Sequence, residues 1–386
     1  MAQTEKPARI KLGMVGGGRD AFIGGVHRIA SRIDDHYELV AGAFSSTVEK
    51  SKLSGRDIGI AEDRSYGSYK EMAIREARIK NGIEAVSIVT PNNLHYPVAK
   101  EFLKRGIHVI CDKPLTSTTA DAKKLFKLVN ESDALFVLTH NYTAYPMIRH
   151  AQALIESGEL GDIRVVQVEY AQEWLTQDIN PQTNKQASWR TDPEISGAGG
   201  CIGDIGTHAF NLANFVTGLE AESLCADLDT FVAGRQLDDN VHIMLRYKNG
   251  AKGMLWSSQV APGNENGLRL RVYGSQAGIS WQQEDPNKLL FSPFGQATQI
   301  ITRAGHGANS AADAVSRIPA GHPEGYLEGF ATLYRETAEA IYAARAGVKL
   351  ETACPGVKDG IHGMAFINAA VSSNKKGGSW INFSKT

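Results

Sequence analysis

Three groups of residues in this chain have types and spacings suited to chemistry. The stretch HVICDKPLT, residues 108–116, is an apolar strand pattern that delivers Asp112, Lys113 and Pro114 at its end. Pro114 sets its own φ and biases Lys113 towards extended backbone, which presents an ammonium on a stiffened segment. In DIGTHAFNLANFVTG, Asp204 and His208 are four residues apart and share one face if the segment is a helix. Such a pair is either a surface carboxylate–imidazole contact or a proton-handling couple, because histidine titrates near neutrality. In GMVGGGRDAFIGGVHR, Gly16 and Gly18 hold the first two positions of G-x-G-x-x-G. Glycines there allow a tight turn and let backbone approach a pyrophosphate at a helix start. The third position falls on Ala21; if Gly24 takes that part, three residues are inserted into the turn.

These residues need elements to hold them. RIKLGMVGGG, YELVAGAFS, IEAVSIVTPN, IHVIC and ALFVLTHN read as strands, with helix patterns such as HYPVAKEFLKRG and TTADAKKLFKLVNES between them. That alternation predicts a doubly wound parallel sheet ending near residue 140. Ligands of such sheets bind outside the carboxyl ends of the strands. Thr90, Pro91, Asn92 and His95 after one strand and Asp112 and Lys113 after the next therefore border one crevice. The second strand ends in AFSST, with Ser45, Ser46 and, further on, Lys50, but no carboxylate to grip ribose hydroxyls. Both NAD and NADP are admissible on that reading.

Beyond residue 140 the rhythm changes to longer consecutive strands: IRVVQVEYAQEW, VHIMLRYKNGAKGMLWSSQ, LRLRVYG and GISWQQ. Lys248-Asn249-Gly250 marks a hairpin. The expectation is an α/β chain with a dinucleotide-binding domain over 1–140 and a second, α+β domain over 141–386. The second domain carries a large, mainly antiparallel sheet able to pair face to face with another copy. Residues 293–323 read as an irregular excursion. Softer candidates are Asn141 and Tyr142 after the fifth strand, Trp189 and Arg190 in SWRTDP, and His322 and Tyr326 in PAGHPEGY. An indole face suits a sugar ring and a guanidinium its hydroxyls. His27 reads as a packing or capping residue and Cys111 as a small buried hydrophobe.

Bulk properties exclude several classes. The chain has 386 residues, 42% hydrophobic and 22% charged, with a formal net charge of −1. A mixed, nearly neutral surface argues against nucleic-acid or membrane partners, which select a concentrated basic face. No apolar run reaches the roughly 18 residues of a membrane span. MAQTEKPARIK lacks the apolar core of a secretory leader. Four scattered cysteines without a C-x-x-C pair suggest neither disulfides nor zinc. A reduced cytoplasmic compartment is expected.

The glycine loop, TPNNLH, DKP, SGELGDI at 157–163 and GAGGCIGDIGTH at 197–208 occur in one order over nearly the whole chain. In these the sequence resembles the glucose-fructose oxidoreductase/inositol dehydrogenase/MocA family of NAD(P)-dependent dehydrogenases. The resemblance implies a Rossmann domain followed by an α/β domain with a large antiparallel sheet, in a homodimer or homotetramer. It implies Lys113, Asp204 and His208 as the catalytic set and NAD or NADP as cofactor. Gly16, Gly18, Ser45, Ser46, Lys50, Thr90, Pro91, Asn92, His95, Asp112 and Lys113 would then contact the cofactor. Lys113, Tyr142, Trp189, Arg190, Asp204, His208 and His322 would contact a small polyol or sugar. The implied reaction is reversible oxidation of a secondary hydroxyl on a cyclitol, sugar or glycoside. Two alternatives share the fold: a glycosidase that oxidises C3 transiently, and a catalytically silent nucleotide-bound sugar sensor. Three features depart from the family pattern: the loop insertion, Asp112 in place of glutamate, and the missing ribose carboxylate.

Overall fold

The computed structural model describes residues 7–19, 21–178, 192–348 and 352–383. They fall into two compact units, the first drawn from within residues 1–116, 120–139 and 327–360, the second from within 117–119, 140–326 and 361–386.

The first unit is built on a parallel sheet of β1 (Ile10–Gly16), β2 (Tyr37–Ala43), β3 (Ala85–Val89), β4 (His108–Cys111) and β5 (Phe136–Leu138), in the order β2-β1-β3-β4-β5. The five strands coincide with the five apolar runs. Every residue of β3 is buried, as a strand covered on both faces requires. Chain order reverses between β1 and β3, the switch point where such sheets bind ligands. Helices α1 (Phe22–Ile33), α2 (Val48–Asp57), α3 (Tyr69–Glu76), α4 (His95–Leu103) and α5 (Thr119–Asn130) alternate with the strands.

A sixth segment joins this unit from far along the chain. Tyr334, on the helix Tyr326–Arg345 (α8 below), places its hydroxyl 2.6 Å from Ser87 Oγ on β3 and 2.8 Å from His27 Nδ1 on α1. Tyr37 on β2 donates to the Tyr334 carbonyl at 2.9 Å. Three elements are thus tied to one buried residue, two through its hydroxyl and one through its carbonyl. Burial lowers the pKa of His27 to about 4, so its ring is neutral and packs, as its position suggested.

The second unit carries a nine-stranded sheet in the order β13-β12-β11-β10-β6-β9-β8-β7-β14. Its strands are β6 (Ile163–Ala171), β7 (Ala221–Asp229), β8 (Asn240–Tyr247), β9 (Lys252–Ser258), β10 (Gly267–Gly274), β11 (Ala277–Gln282), β12 (Lys288–Pro293), β13 (Gln299–Thr302) and β14 (Ile381–Asn382). Neighbours run antiparallel except β6 and β9. The turn at Lys248–Gly250 joins β8 to β9 as expected, with Gly250 at φ 90°. Alternation along β8 buries Val241, Ile243 and Leu245 and exposes His242, Met244 and Arg246. Helices α6 (Pro146–Glu156), α7 (Thr207–Thr217), α8 (Tyr326–Arg345) and α9 (Val357–Lys375) complete the set used below. Phe210 on α7 stacks on Phe366 of α9 with ring centroids 4.2 Å apart.

The excursion expected at 293–323 is more ordered than its composition suggests. Gln299–Thr302 adds an edge strand. Arg303, 2% exposed, then donates to Glu324 Oε1 (2.9 Å), Ile318 O (2.7 Å) and Pro319 O (2.8 Å). One buried guanidinium replaces the backbone ladder that a loop lacks. No helix among the described residues is long and apolar enough to cross a membrane.

Because the Tyr334 hydroxyl serves two buried partners, Tyr334→Phe should lower unfolding free energy by about 1–3 kcal/mol. Urea unfolding reads this directly, and an unchanged midpoint would refute it.

Candidate functional site

In the first unit the glycine loop leaves β1 through Gly16 (φ 84°) and Gly17 (φ 68°), conformations that side chains rarely adopt. A Cβ on Gly16 would lie 2.6 Å from Val89 O. A Cβ on Gly24 would collide with the backbone of Gly17. Gly24 therefore allows the close helix–strand approach expected of the third glycine. Gly18 donates to Phe44 O at 3.2 Å, and a Cβ there would sit 2.6 Å from that oxygen. The N-cap of α1, Ala21, has no side-chain acceptor and its first turn no acid. Its N–H groups are suited to an anion. A cavity of about 460 Å³ opens here, lined by Gly17, Gly18, Arg19, Phe22, Ser54 and Asp57 among others. Arg28 steadies the loop by donating to Gly17 O at 2.6 Å. Beyond β2, Ser45 is half-buried while Ser46 and Lys50 are exposed.

At the end of β3, Thr90 and Pro91 are half-buried and Asn92 is buried. The Thr90 hydroxyl is enclosed yet has no hydrogen-bond partner among the described residues. A buried hydroxyl without a partner is costly unless a ligand completes it. With the glycine cradle and the uncapped helix start, this fits a dinucleotide. At the end of β4, Asp112 donates its N–H to Ile88 O at 2.9 Å and accepts from Thr139 Oγ1 at 2.8 Å. Lys113 follows, half-buried, before a cis peptide bond to Pro114.

His95, expected among the cofactor contacts, is placed differently. It is fully buried, with Nδ1 2.7 Å from Pro114 O and Nε2 3.0 Å from Thr90 O. Burial lowers its pKa, against Asp112 and the two carbonyls, which raise it. The ring lies between the two strand-end loops, its single N–H available to one of the two carbonyls.

In the second unit, Asp204 and His208 do not share one regular α-helix. Ile202–Gly206 is a π-turn, and α7 begins at Thr207. Such turns frequently mark functional sites. Asp204 accepts from Gln259 Nε2 at 2.9 Å. His208, 7% exposed, is surrounded by rings: Tyr142 at 5.0 Å, His140 at 5.4 Å and Tyr170 at 6.2 Å between centroids. The Tyr142 and Tyr170 hydroxyls are 2.7 Å apart, and Tyr170 donates to Asn266 Oδ1 at 2.7 Å. Asn266 Nδ2 reaches Gln283 Oε1 at 3.0 Å. Burial raises the pKa of both phenols, keeping them neutral donors. Asn141 is buried, and its Nδ2 has no partner among the described residues.

The structure thus brings Tyr142 to His208. Tyr326 reaches Tyr142, with centroids 6.3 Å apart. His322 is exposed and lends its carbonyl to Arg303. Trp189 and Arg190 lie outside the described residues. His140, Tyr170, Gln259 and Asn266 were not singled out from sequence. His140, in LTHN at the end of β5, had a positional signal; the others sit on or beside strands with no local motif. Chemically, the second unit offers an imidazole to move a proton, a steadied carboxylate and neutral polar groups suited to hydroxyls.

Comparison with known proteins shows the family. Residues 10–151 match the model described as oxidoreductase family, NAD-binding Rossmann fold, and 148–280 that of the GFO/IDH/MocA C-terminal domain. The crystal structure of an oxidoreductase from Sinorhizobium meliloti is 60% identical, with TM-score 0.89, covering 97% of this chain and 100% of that one. An inositol dehydrogenase homolog from Azotobacter vinelandii, complexed with NADH and myo-inositol, is 33% identical with TM-score 0.90, covering 97% and 98%. An uncharacterized oxidoreductase, YfiI, of Bacillus subtilis (strain 168) is 34% identical over 380 residues, 97% of each chain.

Thr90→Val keeps the shape of the side chain and removes the unsatisfied hydroxyl. It should weaken NAD(H) binding about 5–15-fold, the worth of one hydrogen bond, with thermal stability undiminished. Titration calorimetry checks the affinity; an unaltered Kd would refute a cofactor contact at Thr90.

Proposed function

The chain belongs to the GFO/IDH/MocA family of NAD-binding oxidoreductases, and from that premise we propose that it oxidises, reversibly, a secondary hydroxyl of a cyclitol, sugar or glycoside. The observation that carries the reading is the surround of His208: apolar ring faces rimmed by the Tyr142 and Tyr170 hydroxyls and the Asn266 amide. Ring faces with polar edges suit a saturated ring bearing hydroxyls. The myo-inositol complex of the Azotobacter homolog supports the same class.

Bound nicotinamide supplies the hydride-accepting carbon; the protein supplies position, charge and proton transfer. His208 takes the hydroxyl proton and returns it in the reverse direction. Asp204, steadied by Gln259, orients the imidazole or holds a substrate hydroxyl. Lys113, on the braced segment after β4, stabilises alkoxide character on the reacting oxygen. The serines and Lys50 after β2 leave room for a 2′-phosphate, so NAD and NADP both belong in the assay.

An initial-rate screen of cyclitols, aldoses and glycosides with each nucleotide should identify the substrate. On that substrate, Lys113→Ala and His208→Ala should each lower kcat roughly 10²–10⁴-fold, with NAD(H) affinity within a few-fold of wild type for Lys113→Ala. Near-normal turnover in either variant refutes its role.

The outer face of the large sheet supports assembly into a dimer or tetramer. Met244 and Met254 there are 52% and 56% exposed, beside Trp256 and Arg271. Exposed apolar side chains gathered on one sheet face favour pairing with a second copy. The double variant Met244→Glu, Met254→Glu should shift the chain to monomer in light scattering; an unchanged mass places the interface elsewhere.

A further inference from the structure

The segment carrying Asp204 and His208 begins in GAGGCIG, where glycines offer no side chain to cap it, yet three consecutive N–H groups there are satisfied by a single residue. Gly200 N donates to Asp238 Oδ1 at 2.7 Å and Ile202 N to Asp238 Oδ2 at 2.8 Å. Cys201 N, between them, donates to the Asp238 carbonyl at 2.8 Å. Asp204 N returns to Gly200 O at 2.9 Å, so the π-turn is anchored on the residues that Asp238 holds. A Cβ on Gly200 would collide with the Asp238 carbonyl oxygen, and one on Gly199 with Ile202. The contact is therefore too close for any residue but glycine.

The next residue grips the turn from its other side. The Asp239 carbonyl accepts Gln259 N at 2.9 Å, and Gln259 Nε2 donates to Asp204 Oδ2 at 2.9 Å. Asp239 spends its own carboxylate on Phe231 N, Val232 N and Arg235. The carboxylate beside it is thus the acceptor left for the catalytic turn.

We propose that Asp238 is the positioning residue of this site, its carboxylate and carbonyl setting the start of the π-turn and hence where Asp204 and His208 stand. This rests on the reading of His208 as the proton acceptor.

The chemistry makes the role pH-dependent. Burial pushes the Asp238 carboxyl up to about 6, against the N–H groups of Ile202, Gly200 and its own backbone, with Asp239 adding to the rise. Among the described residues, Cys201 and Asp204 on the turn are the further titratable groups at this corner. Above that pH the carboxylate accepts both N–H bonds. As pH falls through it, the protonated oxygen becomes a donor and one N–H loses its acceptor. Turnover should therefore fall on the acid side with a contribution from Asp238.

Asp238→Asn mimics the protonated side chain at every pH. It should lower kcat at least tenfold with the KM for nucleotide within twofold of wild type. The acid limb near pH 6 should flatten in the kcat profile. An ordinary helix cap would shift the melting temperature and leave that profile unmoved. Gly200→Ala displaces the same contact without touching the carboxylate, and should lower kcat similarly while retaining the acid limb. Should Asp238→Asn fail to fold, Gly200→Ala carries the test. Wild-type kcat in a folded Asp238→Asn or Gly200→Ala, with His208→Ala inactive, overturns the assignment of Asp238 alone. Wild-type kcat in His208→Ala overturns the reading of the site, and this proposal with it.

Discussion

The strand ladder runs to Val89 on β3 and, through the Asp112 N–H to Ile88 O, one residue past Cys111 on β4, and the residues suited to chemistry stand at its end. Each polar group past those points needs a partner from elsewhere in the fold, because an unpaired one costs free energy in proportion to its burial. His95 answers for one of them, its ring lying between Thr90 O and Pro114 O. Thr139 takes one oxygen of Asp112. In the second unit, Asp238 and Gln259 do the same for the turn that carries Asp204. A loop held this way is as definite in position as a strand, which a hydride-transfer site requires.

The same accounting explains the neutral titratable groups in both units. His27, Tyr142, Tyr170 and Tyr334 are all buried, and desolvation keeps each uncharged at neutral pH. Neutral hydroxyls and amides can pass hydrogen bonds along a chain, as from Tyr142 through Tyr170 to Asn266 and Gln283. Such a network offers neutral donors and acceptors suited to hydroxyl groups. Buried charge in the second unit is compensated where Arg303 meets Glu324 and Arg235 meets Asp239.

Much of the fold was legible because it follows from periodicity. Five apolar runs separated by helix patterns specify a parallel sheet, and alternation along β8 to β11 specifies an antiparallel one. The glycine loop was legible as a turn, but its spacing left Ala21 and Gly24 as rivals. Only the contact of Gly24 with Gly17 separates them. The four-residue spacing of Asp204 and His208 suggested one helical face, on the assumption of 3.6 residues per turn. The π-turn breaks that assumption, and its hydrogen bonds depend on Asp238, distant in sequence. His95 has the right neighbours for a cofactor contact, yet its ring is buried between two carbonyls.

By itself the sequence determined the kinds of element, their order, the glycine turn and the stock of reactive side chains, all of which depend on local spacing and backbone preference. Tertiary structure decided which side chains hold the reactive ones. Helix 326–345 returns to the first unit through Tyr334, Arg303 orders the loop up to Glu324, and Tyr170 and Asn266 reach Tyr142 from separate places in the large sheet. The reason is physical: hydrogen bonds between residues tens to hundreds apart in sequence follow from sheet register and burial, which no short stretch of sequence encodes.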